Sequence, residues 1–193
     1  MASTEPQKPL RADARRNRER IVDAARALFA ECGAGTQMDD VARRAQVGVG
    51  TVYRHFPTKQ ALLGELLAAK FRGHAEIARR WADEPDGWTA FEGFLRETFA
   101  QIAQDATLQQ RVHWVDDDEA LAIAAAERDV VVEILGGMID RAQAQGRMRA
   151  TFTVADIPAL MCAVGAVYSA RNRSELRADA FVELLIDGLR APA

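Results

Sequence analysis

The tightest constraint on this chain lies between Gly35 and Pro57, where two short apolar-faced segments are separated only by Gln46-Val47-Gly48. Met38, Val41, Ala42 and Ala45 recur at three and four positions, the spacing of one helix face. Val52 and Phe56 continue the pattern beyond the turn until Pro57, which cannot extend a helix. Most inward residues (Ala42, Ala45, Val47, Val52) are small or β-branched. Two helices carrying such residues can cross closely at a steep angle, as a helix-turn-helix requires.

The remaining positions of the second segment face outward: Gly48, Val49, Gly50, Thr51, Tyr53, Arg54 and His55. Small residues at a helix start let its N-terminus approach base edges in a major groove, and the hydroxyls of Thr51 and Tyr53 are of the type that reach phosphates. Lys59 opens the next helix, where it is placed to meet a nucleic-acid backbone. Thr36 followed by Asp39 has the spacing of a capping box, which predicts a helix start at Thr36. Thr58 is suited to cap the helix after Pro57.

Charge supports a division of labour. The whole chain of 193 residues carries a formal −3, which taken alone argues against nucleic acid. Residues 1–60, however, hold 11 Lys/Arg against 7 Asp/Glu, a balance of +4, and the remaining 14 and 21 leave −7 on residues 61–193. A basic head on an acidic body implies that the head alone meets polyanions.

Here the pattern becomes specific. The string Gly50-Thr51-Val52-Tyr53-Arg54-His55-Phe56-Pro57-Thr58-Lys59-Gln60-Ala61-Leu62 closely resembles the signature of the tetracycline-repressor (TetR) family of transcription regulators. Ile21, Ala24, Ala25, Phe29 and Gly33 resemble that family's first helix, and Val41, Ala42 and Ala45 its second, so the likeness covers residues 20–67. The resemblance implies phosphate contacts at Thr51, Tyr53 and Lys59, with Thr36 capping the second helix and touching phosphate. Gly48, Val49, Gly50 and Arg54 would face the major groove, with His55 at its edge. Two positions depart from the family pattern: Gln46 stands where Gly is common, and Gly48 where Ser is common. A left-handed Gln46 would cost about 1–2 kcal/mol, whereas Gly is only slightly weaker than Ser as a cap.

The rest of the chain reads as helix. Residues 1–13, with Pro6 and Pro9, are expected to be a disordered arm, and Arg11, Arg15, Arg16 and Arg18 are either minor-groove contacts or solvated charges. The helix-turn-helix domain is expected over 14–60 and a helical body over 61–193. A long helix starts near Ala61 and breaks at Glu84-Pro85-Asp86-Gly87. Trp88, Phe91, Phe94, Leu95, Phe99 and Ile102 mark an aromatic helix face, and a less regular stretch runs from Thr107 to Trp114. Acids from Asp116 to Glu119 precede an Ala- and Val-rich helix to about Gln145, closed by Gly146. Acids at a helix start are stabilised by its dipole and call for no metal. Thr153 and Asp156 repeat the capping-box spacing and open a helix to about Ala170, with Pro158 near its start; a last helix spans about Ala178 to Arg190. No strand pattern of period two and no repeat appears. The expected fold is all-α with about nine helices.

The family resemblance implies a homodimer on an inverted-repeat DNA operator, repression as the usual mode, and a small-molecule effector in the body. Pairing candidates are Met161, Gly165 and Tyr168 on one helix and Phe181, Leu184, Leu185, Gly188 and Leu189 on the next, each with core packing as the alternative. Effector candidates are Trp88, Phe91, Phe94, Phe99, His113 and Trp114, again against core packing. Cys32 and Cys162 read as buried free thiols. No metal-ligand spacing, nucleophile elbow or phosphate loop is present, so neither a cofactor nor an enzymatic activity is expected. No segment reads as a signal peptide or membrane span, and a bacterial cytoplasmic location is expected.

Overall fold

The computed structural model of the protein describes residues 8–104, 117–169 and 178–192. These contain nine α-helices: α1 Lys8–Cys32, α2 Met38–Ala45, α3 Val49–His55, α4 Lys59–Trp81, α5 Gly87–Gln104, α6 Asp118–Ile123, α7 Ala125–Ala144, α8 Ile157–Ser169 and α9 Ala178–Leu189. Among the described residues no helix is long and apolar enough to cross a membrane. The chain forms two compact units, Met1–Leu67 with Arg111–Ile123, and Ala68–Gln110 with Ala124–Ala193. The boundary between these compact units falls inside α4, after Leu67, and a later segment returns to the first unit.

In the first unit, Ile21, Ala25 and Phe29 of α1 pack with Val41, Ala42 and Ala45 of α2, Val52 of α3, Phe56 and Leu62, all at 0–4 % exposure. The helix α1 starts at Lys8, inside the segment expected to be a loose arm. Pro9 is tolerated there because the first helical turn has no carbonyl partner for its missing N–H. Gly33 ends α1 with φ +58 and leads into a single 3-10 turn, Gly33–Gly35. Thr36 does not cap α2: its buried hydroxyl lies 3.1 Å from the Leu28 carbonyl oxygen and 2.9 Å from that of Gly33, which share its one proton. The residue before α2 is Gln37, whose side chain donates to Gly35 O instead. Thr58 does cap α4, accepting the Ala61 N–H at 3.0 Å.

In the second unit, the connection between α4 and α5 is fastened to the end of α7. Gln145 accepts the Gly87 N–H at 2.8 Å and donates to Pro85 O at 2.9 Å, while Arg141 donates to Ala82 O at 3.0 Å. Asp86 caps α5 through the Thr89 N–H at 2.8 Å. That bond, with the nearby Arg147 guanidinium, holds the Asp86 carboxyl below its ordinary range against the opposing effect of desolvation. The aromatic face of α5 then drives the core. Trp88, Phe91, Phe94, Leu95, Phe99 and Ile102 are all buried against Leu135 and Met138 of α7, Leu160 and Val164 of α8, and Val182 and Ile186 of α9. Gly146 closes α7 with φ +67, and the Thr153–Asp156 capping box forms. A 3-10 turn, Val154–Asp156, precedes α8, with Pro158 in the first turn of the α-helix where no N–H is needed.

Two further expectations are corrected. The helix read as one from Glu119 to Gln145 is two, interrupted at Ala124 (φ −90, ψ 7). Neither glycine nor proline marks the break; α6 and α7 belong to different compact units, and tertiary packing outweighs the local preference of an Ala-rich run. Both cysteines are exposed rather than buried, Cys32 at the last position of α1 and Cys162 on α8.

Candidate nucleic-acid interface

The turn between α2 and α3 decides how α3 is presented. Gln46 adopts φ 54, ψ 45, a left-handed conformation otherwise confined to glycine among the described residues. The departure at this position therefore carries real strain. Arg20 of α1 answers it, donating at 3.3 Å to both the Gln46 carbonyl oxygen and its side-chain Oε1. The sequence reading left Arg20 out. Its only signal was a polar residue on α1 beside the helix's apolar face.

From that turn, α3 starts at Gly48, which has extended backbone (φ −66, ψ 144) and whose carbonyl oxygen accepts from Thr51 and Val52. Val52 is the residue that α3 buries. Its outer surface is Gly48, Val49 (44 % exposed), Gly50, Tyr53 (47 % exposed) and Arg54, with Thr51 and His55 half-buried. No acidic residue lies on α3. Arg43 and Arg44 on α2 are paired with Asp40 (2.8 Å) and Glu31 (2.7 Å), whereas no carboxylate among the described residues pairs with Arg54.

The glycines sharpen this picture. A Cβ on Gly50 would meet nothing within 4 Å, and one on Gly48 would meet only Thr51 Oγ1 at 3.9 Å. Neither has a positive φ. Nothing inside the fold requires glycine at either place, so their smallness matters only to something approaching from outside.

The other candidates distribute as follows. Lys59 is half-buried, its Nζ 5.6 Å from the Phe29 ring centroid. Thr36 is removed from the surface by burial and its two internal acceptors. Arg18 belongs to the packed head, 2.5 Å from Glu65 and 5.2 Å from the Phe56 ring centroid. Arg15 and Arg16 pair along α1 with Glu19 and Asp13. In the body, Trp88, Phe91, Phe94 and Phe99 are 0–2 % exposed and packed on one another and their neighbours, which makes them core. His113 and Trp114 lie outside the described residues, as does the stretch from Thr107. Of the pairing candidates, Leu189 is core, Leu184 is 70 % exposed, Gly188 is exposed, and Met161, Gly165, Tyr168, Phe181 and Leu185 are half-buried.

Comparison with known proteins bears directly on this head. Residues 21–66 match the family of bacterial regulatory proteins named tetR, and residues 86–191 match the C-terminal domain of SbtR-like transcriptional regulators. The HTH-type transcriptional repressor KstR of Rhodococcus jostii (strain RHA1) is 32% identical, over 91% of this chain and 85% of its own length. The chain belongs to the TetR family. A TetR transcription regulatory protein of Mycobacterium vanbaalenii shares 35% identity, covers 95% of this chain and all (100%) of its own, and superposes with a TM-score of 0.57. At 18% identity, FadR of Bacillus subtilis, solved with stearoyl-CoA, shares the fold over 88% of this chain and 96% of its own (TM-score 0.68). The protein is thus an all-α, DNA-binding transcriptional regulator of the TetR family rather than an enzyme.

Proposed function

We propose that this TetR-family regulator is a ligand-responsive repressor that binds an inverted-repeat operator as a homodimer. The observation that carries the DNA side is the outer surface of α3. Two glycines that the fold does not need, an arginine that no carboxylate among the described residues pairs with, and no acid on α3 form the surface that would enter a major groove. On this reading Gly48, Val49, Gly50 and Arg54 face base edges, with His55 beside them. Thr51, Tyr53 and Lys59 hold phosphates.

The dimer reading is supported by apolar residues left at the surface of the last two helices, above all Leu184 at 70 % exposure with Phe181, Leu185 and Met161 partly open. A two-fold pair would place two α3 helices on two half-sites, about one helical turn apart. Repression follows the character of the KstR relative, which is named a repressor. A ligand would release DNA only by binding one conformation of the body better than another.

The test combines selection of bound sequences from random DNA with the variant Gly50→Ala. The selection is expected to return an inverted repeat. Alanine at position 50 is expected to leave the fold intact or stabilise it by up to about 1 kcal/mol, because glycine is the poorer helix former. It is expected to weaken operator binding at the same time. A Gly50→Ala protein with unchanged affinity, or a selection that returns no symmetric site, refutes the reading.

A further inference from the structure

Val52 is the residue that α3 buries, and it lies past the middle of the helix. In the first turn Val49 and Gly50 are exposed and Thr51 is half-buried. Packing therefore holds the far half of α3 and leaves its leading end to be aimed by the turn in front of it. Only Val47 separates Gln46 from Gly48, where α3 starts. At 1.5 Å per residue α3 is about 10 Å long, so a swing of about 10° moves one end by about 2 Å against the other. A shift of that size takes a donor out of hydrogen-bonding range.

The turn itself is held by hydrogen bonds, because Gln46 is exposed and no packing covers it. The Val47 N–H donates to the Ala42 carbonyl oxygen at 3.0 Å and the Gln46 N–H to that of Arg43 at 3.2 Å, which closes the end of α2 around a left-handed residue. These bonds fix two amides and leave the Gln46 carbonyl. Arg20 takes it: Nη2 donates to Gln46 O and to Oε1, each at 3.3 Å. That carbonyl belongs to the peptide leading into Val47, so holding it fixes the direction in which the chain leaves α2. Arg20 and Gln46 border an open recess of about 330 Å³ lined also by Asp23 and Arg44. Asp23 pairs with Arg26 at 3.2 Å and Arg44 with Glu31 at 2.7 Å. Among the described residues Arg20 has no carboxylate partner, and the bonds it makes go to Gln46.

We infer that Arg20 is a positioning residue for DNA binding: from α1 it holds the strained Gln46 turn and so aims the leading end of α3. The inference rests on the reading of α3 as the groove-facing helix. A glycine at position 46 would take the left-handed conformation without steric cost. Glutamine there costs about 1–2 kcal/mol, and a residue in such a region stays in place only where its surroundings over-determine it. Arg20 is the added determinant, bonding main chain and side chain of the one strained residue. An exposed arginine could instead hold a DNA phosphate directly. The two roles part in two ways. A phosphate contact releases a counterion and is indifferent to residue 46, whereas a positioning role releases none and depends on the strain at residue 46.

The experiment is a double-mutant cycle on the full-length protein. It is read as affinity for the duplex most enriched by selection with the unaltered protein, whether or not that duplex is symmetric. Arg20→Ala is expected to leave helical content unchanged and to weaken binding about three- to tenfold, the effect of two exposed hydrogen bonds. In the Gln46→Gly background the same change is expected to weaken binding less than about twofold, because no strain is left for Arg20 to hold. The slope of log affinity against log salt should be the same with and without Arg20. Equal losses in the two backgrounds, no loss in either, or a slope smaller by about 0.9, the mark of one phosphate contact, overturns the inference. Should Arg20→Ala lose helical content, Arg20→Gln takes its place and the same cycle decides. Gly50→Ala, measured alongside, separates this inference from the reading beneath it. A loss at Gly50 with none at Arg20 overturns the positioning role and leaves α3 as the groove-facing helix. A coupled loss at Arg20 with none at Gly50 does the reverse.

Discussion

Replacing Gln46 tests whether the turn of the DNA-binding head is strained as its geometry implies. Three effects act on Gln46→Gly. A non-glycine residue at φ 54, ψ 45 costs about 1–2 kcal/mol, which glycine removes. Glycine gives back about 0.4–1 kcal/mol through the greater freedom of its unfolded chain. The substitution also loses the exposed bond from Arg20 to Oε1 at 3.3 Å, worth at most about 0.5 kcal/mol, while the bond from Arg20 to the position-46 carbonyl persists. Comparison with Gln46→Ala cancels the side-chain bond, because both variants lack it. What remains is strain relief against chain entropy, so the glycine variant is expected to exceed the alanine variant by about 0.5–1 kcal/mol. Asparagine, which tolerates the left-handed region, should fall between them.

The assay is urea unfolding followed by helical circular dichroism, at one protein concentration because the stability of the proposed dimer would depend on it. In a chain of this length the expected difference is also about 2–4 °C in Tm per kcal/mol. Alanine equal to or more stable than glycine would refute the reasoning. It would mean that the turn relaxes at no cost and that Arg20 does not hold a strained residue in place.

Gly87→Ala drives a Cβ into the Ala142 backbone nitrogen, where no side chain can yield, and is expected to cost about 2–3 kcal/mol in the same assay; a loss below about 0.5 kcal/mol would show that the α5–α7 approach is slack. Leu184→Glu, at a position 70 % exposed, should leave helical content unchanged and convert the proposed dimer to monomer in light scattering; a dimer that survives it moves the interface elsewhere. His74 is held near 4, below its unfolded value of about 6.5, so the folded state binds fewer protons and the stability present above about 6.5 is lost as pH falls toward 4. Allowing for its partial solvent contact, that window is worth about 2 kcal/mol; His74→Gln should flatten the unfolding free energy between pH 6.5 and 4.5, and an unchanged slope would show that the ring is not protected.

The head was legible because its rules are local. The inward set Met38, Val41, Ala42 and Ala45 is buried as its spacing demands, and Gly33 and Thr58 end or start helices by backbone and capping chemistry that needs no distant partner. The aromatic face of α5 was equally plain, since a stripe that apolar has to be covered. What failed had a tertiary cause. Thr36 carries the letters of a cap, but the Leu28 and Gly33 carbonyls claim its hydroxyl. The run from Glu119 to Gln145 reads as one helix because nothing local breaks it, and it divides because its two halves pack in different units.

The effector candidates are the least legible part of the chain. Aromatic bulk pointed to Trp88, Phe91, Phe94 and Phe99, yet bulk on an apolar stripe is what a core needs, and those rings fill it. On α4, His74 breaks the apolar line between Leu67 and Ile77: it is half-buried beside the Phe94 ring, where leucine or alanine would pack at no electrostatic cost. Thr98 repeats the anomaly on α5, a buried hydroxyl with no hydrogen-bond partner among the described residues, where valine has nearly the same shape. Each substitution toward an apolar residue would remove a desolvation penalty that folding alone does not require.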